Sequence, residues 1–139
     1  MSNKSCHHSV VVETTAQAAA MFRVALPKVQ KEERVFVLPL DGNGKVLANP
    51  ILVSVGHKDG IVATDAGAIF REALKAGAEE IIVAHNHPSG NVTPSKADIA
   101  ATAELKDLAE RLGVVFLDHI ILGAAGSADG MGFVSLSEM

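Results

Sequence analysis

The chain has 139 residues, of which 48% are hydrophobic and 20% are charged. A length of this order is typical of one domain with a sizeable core, and the composition excludes general disorder. Aromatic residues make up only 4%, with no Trp or Tyr, so the predicted core consists of aliphatic side chains, Ala and Phe. The net charge of -4 argues against a large nucleic-acid interface and leaves open a local basic patch.

The sequence carries no sign of membrane insertion or secretion. No apolar run approaches the ~20 residues that a membrane helix requires, and the N-terminal residues lack the apolar stretch of a secretory signal. The single cysteine, Cys6, cannot form an internal disulfide, which fits a reducing compartment. We therefore expect a cytoplasmic protein with a flexible tail at residues 1–8 and a single domain at residues 9–139.

The first predicted elements are a strand and a helix. Residues 9–15 (SVVVETT) are rich in β-branched side chains and predict a short strand. Residues 16–29 predict a helix that Pro27 disturbs near its end, because proline lacks the N–H that a helix needs.

A β-hairpin is predicted next. Residues 34–40 (RVFVLPL) predict a strand, and residues 41–44 (DGNG) are typical of a tight turn because Gly and Asn tolerate positive φ. Residues 45–56 predict the partner strand, in which Pro50 indicates a sheet edge or a bulge.

Strands and helices alternate after the hairpin. Residues 64–78 have apolar side chains at helical spacing, with Thr64 or Asp65 as N-cap. Residues 95–113 predict an amphipathic helix that ends at Gly113. Further strands are predicted at 80–84, 114–123 and 132–138. This order predicts a mixed α/β sandwich.

An unusual cluster of side chains follows the strand at 80–84, in the stretch AHNHPSGNVTPSKAD. His85 and His87 are two residues apart, so in extended chain both side chains lie on one face. Asp98 falls in the first turn of the next helix. The Pro-Ser-Gly turn allows that end of the helix to fold back toward the two histidines. Two imidazoles and one carboxylate form three ligands for a divalent ion and leave a fourth position open, as in catalytic zinc sites.

The same residues also permit a purely structural interpretation. Ser95-x-x-Asp98 fits a helix capping box, so Asp98 could cap the helix and do nothing else. Ser95 could be a simple N-cap, or its hydroxyl could point at a reacting centre. A hydrolytic site would further need a general base, a carboxylate near the ion that does not ligate it.

The full pattern resembles the signature of the JAMM (MPN-domain) metalloproteins. It reads His85-Asn86-His87-Pro88, then Ser95 after seven intervening residues, then x-x-Asp98. Together with LDHIILG at 117–123, it is similar to the bacterial RadC-like branch. The similarity runs from about residue 30 to the C-terminus, whereas residues 1–29 match nothing in the pattern. The resemblance implies a mixed sheet flanked by helices, related to the deaminase fold.

The resemblance also implies a zinc-dependent hydrolase that cleaves an amide bond, as a metallopeptidase or isopeptidase. About one zinc ion per chain would be held by His85, His87 and Asp98. Ser95 would position the water or stabilise the oxyanion, and Glu33, with Glu32 as the fallback, would be the general base. In the structural interpretation both glutamates are surface charges. The substrate is a peptide or protein that the resemblance does not identify.

Two features of the chain depart from the family's usual pattern. RadC-like proteins usually carry an N-terminal helix-hairpin-helix region, for which this chain has no room, so DNA association through that region is expected to be absent. The stretch TDAGAIF (64–70) also departs from the Pro-Arg-Glu sequence common in the family.

Two classes of function other than hydrolysis stay open. They are a DNA-repair-associated DNA-binding module and a non-catalytic scaffold. An exposed edge strand around 46–55 could take an extended peptide in either a peptidase or a scaffold.

Other polar residues are expected to have supporting or no functional roles. Asp118 and His119 are adjacent, so they point to opposite strand faces and at most one faces the site. Hydrogen bonding behind the metal is favoured over ligation for that residue. His57 is expected in a solvated loop, and Cys6-His7-His8 in the tail. The adjacent letters HNH at 85–87 do not indicate a nuclease, because the residues of that motif are spread over a longer unit.

Overall fold

The computed structural model describes residues 10–29, 31–56, 65–123 and 132–138. In these ranges the helices are α1 (Thr15–Ala25), α2 (Ala66–Lys75) and α3 (Lys96–Leu112). The strands are β1 (Glu33–Leu40), β2 (Ile51–Gly56), β3 (Glu80–Asn86), β4 (Val115–Leu122) and β5 (Phe133–Ser135), and a short 3-10 helix (Leu136–Glu138) follows. The mixed α/β class expected from the sequence is confirmed.

The five strands form one mixed sheet in the order β2-β1-β3-β4-β5. β3 and β4 are parallel, and the other neighbouring pairs are antiparallel. A parallel pair needs a crossover connection, which α3 provides. The carboxyl ends of β3 and β4 therefore lie at the same edge of the sheet, and the antiparallel pairing brings the amino end of β1 to that edge.

Both faces of the sheet are buried. One face packs under α2 and α3, and the other packs under α1. The first core contains Val35, Val37, Ile69, Phe70, Ile81, Val83 and Leu105, among others; the second contains Phe22, Phe36, Leu38, Ile82, Ile120 and Leu122, among others. Strands that are covered on both faces are apolar throughout, which explains the nearly unbroken apolar runs of β1 and β3.

Local capping signals mark the bounds of α1 and α3. Thr14 and Gln17 form a capping box at the start of α1, and α1 ends at Ala25. Leu26 is extended (φ -83°, ψ 145°), the conformation that a following proline favours. α3 ends at Gly113, which has φ 75° and closes the helix in the left-handed region.

The strand predicted at 9–15 is wrong. Val11 forms only a single bridge with Lys45, and α1 begins at Thr15. The Thr14 capping box satisfies the first helical N–H groups, so the chain enters the helix where β-branched residues favoured a strand.

The partner strand predicted at 45–56 is shorter than expected. The Asp41 carboxylate accepts the backbone N–H groups of Asn43 and Lys45, which confirms the turn, but pairing near the turn is limited to single bridges. β2 begins at Ile51, directly after Pro50. Its ladder with β1 contains a register shift between Val35 and Phe36. Its edge position in the sheet is as predicted.

Several sequence-based expectations lie outside the described residues. They concern the tail at 1–8, His57 and the Thr64 cap. Of the last predicted strand, only 133–135 is extended, because the chain turns into the 3-10 helix at Leu136. None of the described helices combines the length and the hydrophobicity needed to cross a bilayer.

Gly123 should be intolerant of a side chain. A Cβ atom there would lie 2.7 Å from the Gly90 carbonyl oxygen and 2.7 Å from Val92 Cγ1. We expect Gly123→Ala to lower the free energy of unfolding by about 1–3 kcal/mol, because backbone must shift to admit the methyl group. Chemical denaturation measures this.

The matched control is Gly67→Ala. Gly67 lies in α2, and a Cβ there meets nothing within 4 Å. This change should stabilise the protein by up to about 1 kcal/mol through helix propensity. Equal effects of the two substitutions would contradict the packing argument.

Candidate metal centre

The end of β3 places two histidines on the face that α3 covers. His85 pairs with Val35 across the β1–β3 ladder and is fully buried. After β3, the chain makes a tight turn in which the Gly90 N–H donates to the His87 carbonyl (2.8 Å), with Pro88 as its second residue. The His87 N–H donates to the Leu122 carbonyl at the end of β4, which anchors the start of this turn to the sheet.

The first turn of α3 brings Asp98 to the two histidines. The Asp98 N–H donates to Ser95 Oγ (3.0 Å), and the Ser95 N–H donates to Asp98 Oδ2 (2.9 Å). This reciprocal capping box holds the carboxylate in a fixed orientation although Asp98 is buried. The cap and the candidate ligand are therefore the same carboxylate, and the two interpretations of Asp98 are compatible.

The three side chains converge on one point. His85 Nε2 lies 3.2 Å from His87 Nε2 and 3.1 Å from Asp98 Oδ1, and His87 Nε2 lies 3.3 Å from Asp98 Oδ2. Tetrahedral zinc ligands at about 2.0–2.1 Å from the ion are about 3.3–3.4 Å apart, so these spacings fit. Among the described residues, these three form a group that could hold a metal ion.

Hydrogen bonds set the charge of the group. Burial opposes ionisation of Asp98, but hydrogen bonds from His85, His87 and the Ser95 backbone outweigh it and hold the pKa of Asp98 well below its usual range. The hydrogen bond to Asp98 is the main cause that raises the pKa of His87 above its usual value, against partial burial. The negative charge of Glu33 raises it further. Without a metal ion, the carboxylate therefore favours a proton on His87.

Glu33 lies at the amino end of β1 and is buried (3% exposed). This burial contradicts the structural interpretation, in which Glu33 is a surface charge. It shares a sheet face with Val35, the partner of His85, because it is two residues away on the same strand. The antiparallel register that pairs Val35 with His85 runs on toward Glu33 and His87. The negative charge of Glu33 accordingly raises the pKa of His87, a member of the group formed by His85, His87 and Asp98 (the metal group). Glu32, the fallback candidate, is instead paired with Arg34 (3.6 Å) and is partly exposed.

Asn86 fixes the backbone on both sides of Glu33. Its Oδ1 accepts the Arg34 N–H (2.7 Å), and its Nδ2 donates to the Glu32 carbonyl (3.1 Å). Asn86 is fully buried and stands between the two histidines in sequence. It therefore ties the residue predicted as general base to the strand that carries the predicted ligands.

Ser95 accepts a hydrogen bond through Oγ as the N-cap of α3. That bond uses an oxygen lone pair and leaves the hydroxyl hydrogen available to donate. The capping role predicted for Ser95 is thus present, and it is compatible with a second role at a reacting centre.

Asp118 and His119 point to opposite faces of β4, as their spacing predicts. Asp118 accepts hydrogen bonds from Ser135 Oγ (2.7 Å) and Thr15 Oγ1 (3.3 Å), on the α1 face. His119 Nε2 lies 2.8 Å from His85 Nδ1, behind the metal group. Burial lowers the pKa of His119 to about 3, so this imidazole is neutral.

Two residues, Asn86 and Thr102, were not predicted from the sequence. Asn86 is the polar residue between two candidate ligands, and the residues before it on the same face of β3, Ile82 and Ala84, are apolar. Thr102 is a polar residue on the buried stripe of α3, one turn after Asp98. A buried polar side chain costs free energy unless it is hydrogen-bonded, so either residue could have been selected on that ground.

The mixed sheet with three helices, and the His-His-Asp group at the end of its central strand, define an α/β domain of the JAB (MPN) type. A family profile described as RadC-like JAB domain matches residues 12–139. The chain therefore belongs to the RadC-like JAB domain family. The match begins at residue 12, whereas the resemblance seen in the sequence begins at about residue 30. Helix α1 is therefore part of the family's domain.

Curated relatives match most of this chain but only part of their own length. A UPF0758 protein of Carboxydothermus hydrogenoformans is 47% identical over 94 residues, which are 68% of this chain and 41% of the relative. The UPF0758 protein tlr1707 of Thermosynechococcus vestitus is 37% identical over 113 residues, 81% of this chain and 44% of the relative. The chain thus spans about two fifths of these relatives, and their names state no reaction.

The affinity of the group for zinc should fall as the pH is lowered. A metal ion binds neutral imidazole, so it must displace the proton that Asp98 favours on His87. Below the raised pKa of His87, we expect zinc affinity to fall about tenfold per pH unit, whereas Asp98 stays ionised. Competition with a chelator of known pH dependence, between about pH 6 and 8, measures this. A pH-independent affinity would contradict the assignment of His87 as a ligand.

Proposed function

We propose that this domain is a zinc-dependent hydrolase that cleaves an amide bond in a peptide or an isopeptide. The observation that carries the proposal is the convergence of His85, His87 and Asp98, together with a buried Glu33 two residues before the strand partner of His85. A tripod of ligands with a non-ligating carboxylate next to it is the arrangement of a catalytic rather than a structural zinc site. A purely structural zinc site would have four protein ligands.

The donor set fits zinc, since two imidazoles and one carboxylate with the observed spacings are typical ligands of that ion. Zinc held by these residues would lower the pKa of a water molecule and polarise the substrate carbonyl.

Two side chains, Glu33 and Ser95, carry out the remaining steps of hydrolysis. Glu33 accepts the proton of the attacking water, and its burial strengthens its interaction with charges that develop nearby. Ser95 donates its free hydroxyl hydrogen to the oxyanion of the tetrahedral intermediate. Glu33 then returns its proton to the leaving amine as the C–N bond breaks. The products are a carboxylate and a free amine.

The test compares metal content and cleavage in matched variants. Elemental analysis should find about one zinc per chain in the wild type and in Glu33→Gln, and a loss of zinc in His87→Ala. Against libraries of peptides and isopeptides, Glu33→Gln should cleave at least about 100-fold more slowly, because general-base catalysis contributes this much.

Glu32→Gln is the control, because it removes the neighbouring carboxylate, which is paired with Arg34. It should keep both zinc and activity. Loss of zinc in Glu33→Gln would make Glu33 a ligand, and undiminished cleavage by that variant would remove its role as the base. A zinc-loaded wild type that cleaves no member of either library would contradict the proposed reaction.

Asn86 should matter for hydrolysis through Glu33. We expect Asn86→Ala to keep zinc but to cleave about 10- to 100-fold more slowly, because it frees the backbone that holds the base. The double variant Asn86→Ala/Glu33→Gln distinguishes this role from a general defect. If Asn86 acts through Glu33, the double variant is no slower than Glu33→Gln alone, whereas independent losses would multiply.

A further inference from the structure

The two histidines of the metal group must both present Nε2 to the ion, and each needs an acceptor for the proton on its other nitrogen. For His87 the acceptor is direct, since Nδ1 lies 2.8 Å from the Asn91 carbonyl oxygen. A carbonyl oxygen can only accept, so the neutral His87 carries its proton on Nδ1 and leaves Nε2 free for the metal.

His85 has a histidine rather than a carbonyl at the corresponding position. Its Nδ1 lies 2.8 Å from His119 Nε2, and a neutral imidazole can either donate or accept there. This contact alone therefore leaves the tautomer of His85 undetermined.

The tautomer is settled two hydrogen bonds further away. Thr102 Oγ1 donates to the Asp98 carbonyl oxygen (2.9 Å), which uses the only hydrogen of the hydroxyl. His119 Nδ1, 2.7 Å from the same Oγ1, must therefore donate to Thr102. A neutral His119 with its proton on Nδ1 accepts at Nε2, so His85 donates from Nδ1.

We propose that Thr102 and His119 are positioning residues that select the metal-binding tautomer of His85. The relay runs from the Asp98 carbonyl through Thr102 and His119 to His85 Nδ1, and it leaves Nε2, beside Asp98 and His87, as the nitrogen that binds an ion. Asp98 thus acts twice, with its carboxylate as a ligand and with its carbonyl as the acceptor that gives the relay its direction.

Burial keeps water from replacing the partners in the relay. His85 and His119 are fully buried and Thr102 is nearly so (7% exposed), so water cannot readily replace a missing partner. Without the Thr102 hydroxyl, His119 is free to move its proton to Nε2 and donate to His85. His85 would then carry its own proton on Nε2, where the metal binds.

The inference rests on the proposed zinc site, and the experiment separates the two. Zinc affinity is measured by chelator competition for the wild type, Thr102→Val, Thr102→Ser and Ser135→Ala. Thr102→Val preserves the shape but removes the hydroxyl, and we expect it to bind zinc about 10- to 100-fold more weakly. Thr102→Ser restores the hydroxyl and should bind within about threefold of the wild type.

Ser135→Ala is the matched control for loss of a buried hydroxyl. Ser135 donates to the Asp118 carboxylate on the opposite face of the sheet. It should bind zinc like the wild type. Equal weakening in Ser135→Ala, or in Thr102→Ser, would overturn the proposal, because stability or shape would then explain the loss.

The tautomer itself is read from long-range proton–nitrogen NMR spectra of the zinc-loaded wild type, which need no variant to fold. We expect His85 and His119 both to carry their protons on Nδ1. A proton on Nε2 of His119 would overturn the relay. Wild-type protein that binds no zinc would overturn the proposed function as well, whereas zinc-binding wild type with an unchanged Thr102→Val would overturn the relay alone.

Discussion

The metal group depends on one electrostatic constraint: a buried carboxylate and two buried or half-buried imidazoles must lie about 3 Å apart in fixed protonation states. Such a group is costly to bury unless hydrogen bonds satisfy every member. The capping box holds Asp98, the Asn91 carbonyl holds His87, and His119 supports His85. Asn91 and Ser95 lie in the connection between β3 and α3, whereas His119 comes from β4.

The sheet topology supplies those segments. The parallel pair β3–β4 pairs His119 with Val83, two residues before His85, so the two imidazoles meet on one face. The crossover helix α3 returns Asp98 and Thr102 to the same face. The antiparallel strand β1 brings Glu33 to the edge where β3 ends. Structure and proposed chemistry share residues: Asp98 caps a helix and offers a ligand, and Asn86 joins two strands while it holds the residue proposed as base. A substitution at either position is therefore expected to affect both stability and the site.

The elements that the sequence predicted well are those with strong local signals. The periodicity of 95–113, its Ser95 cap and its Gly113 end predicted α3 closely, and the apolar runs predicted β1, β3 and β4. The failures occurred where local preferences conflict. The β-branched run at 10–12 favours a strand, but the capping box at Thr14 starts a helix directly after it. In the strand predicted at 45–56, bends at residues 47–49 separate the single bridges near the turn from β2.

For the site, the local spacing of His85, His87, Ser95 and Asp98 was enough to predict a metal group, because all four lie within one strand–turn–helix unit. The resemblance to a known family singled out Glu33, but its burial beside the group, and the role of Asn86 in holding it, required the pairing of β1 with β3. His119 likewise meets His85, and Thr102 meets His119, only because β4 lies parallel to β3 under α3. The sequence by itself therefore determined the candidate ligands, whose geometry is local. Only the tertiary structure decided which distant side chains orient them, because those hydrogen bonds join segments whose approach depends on the packing of the whole sheet.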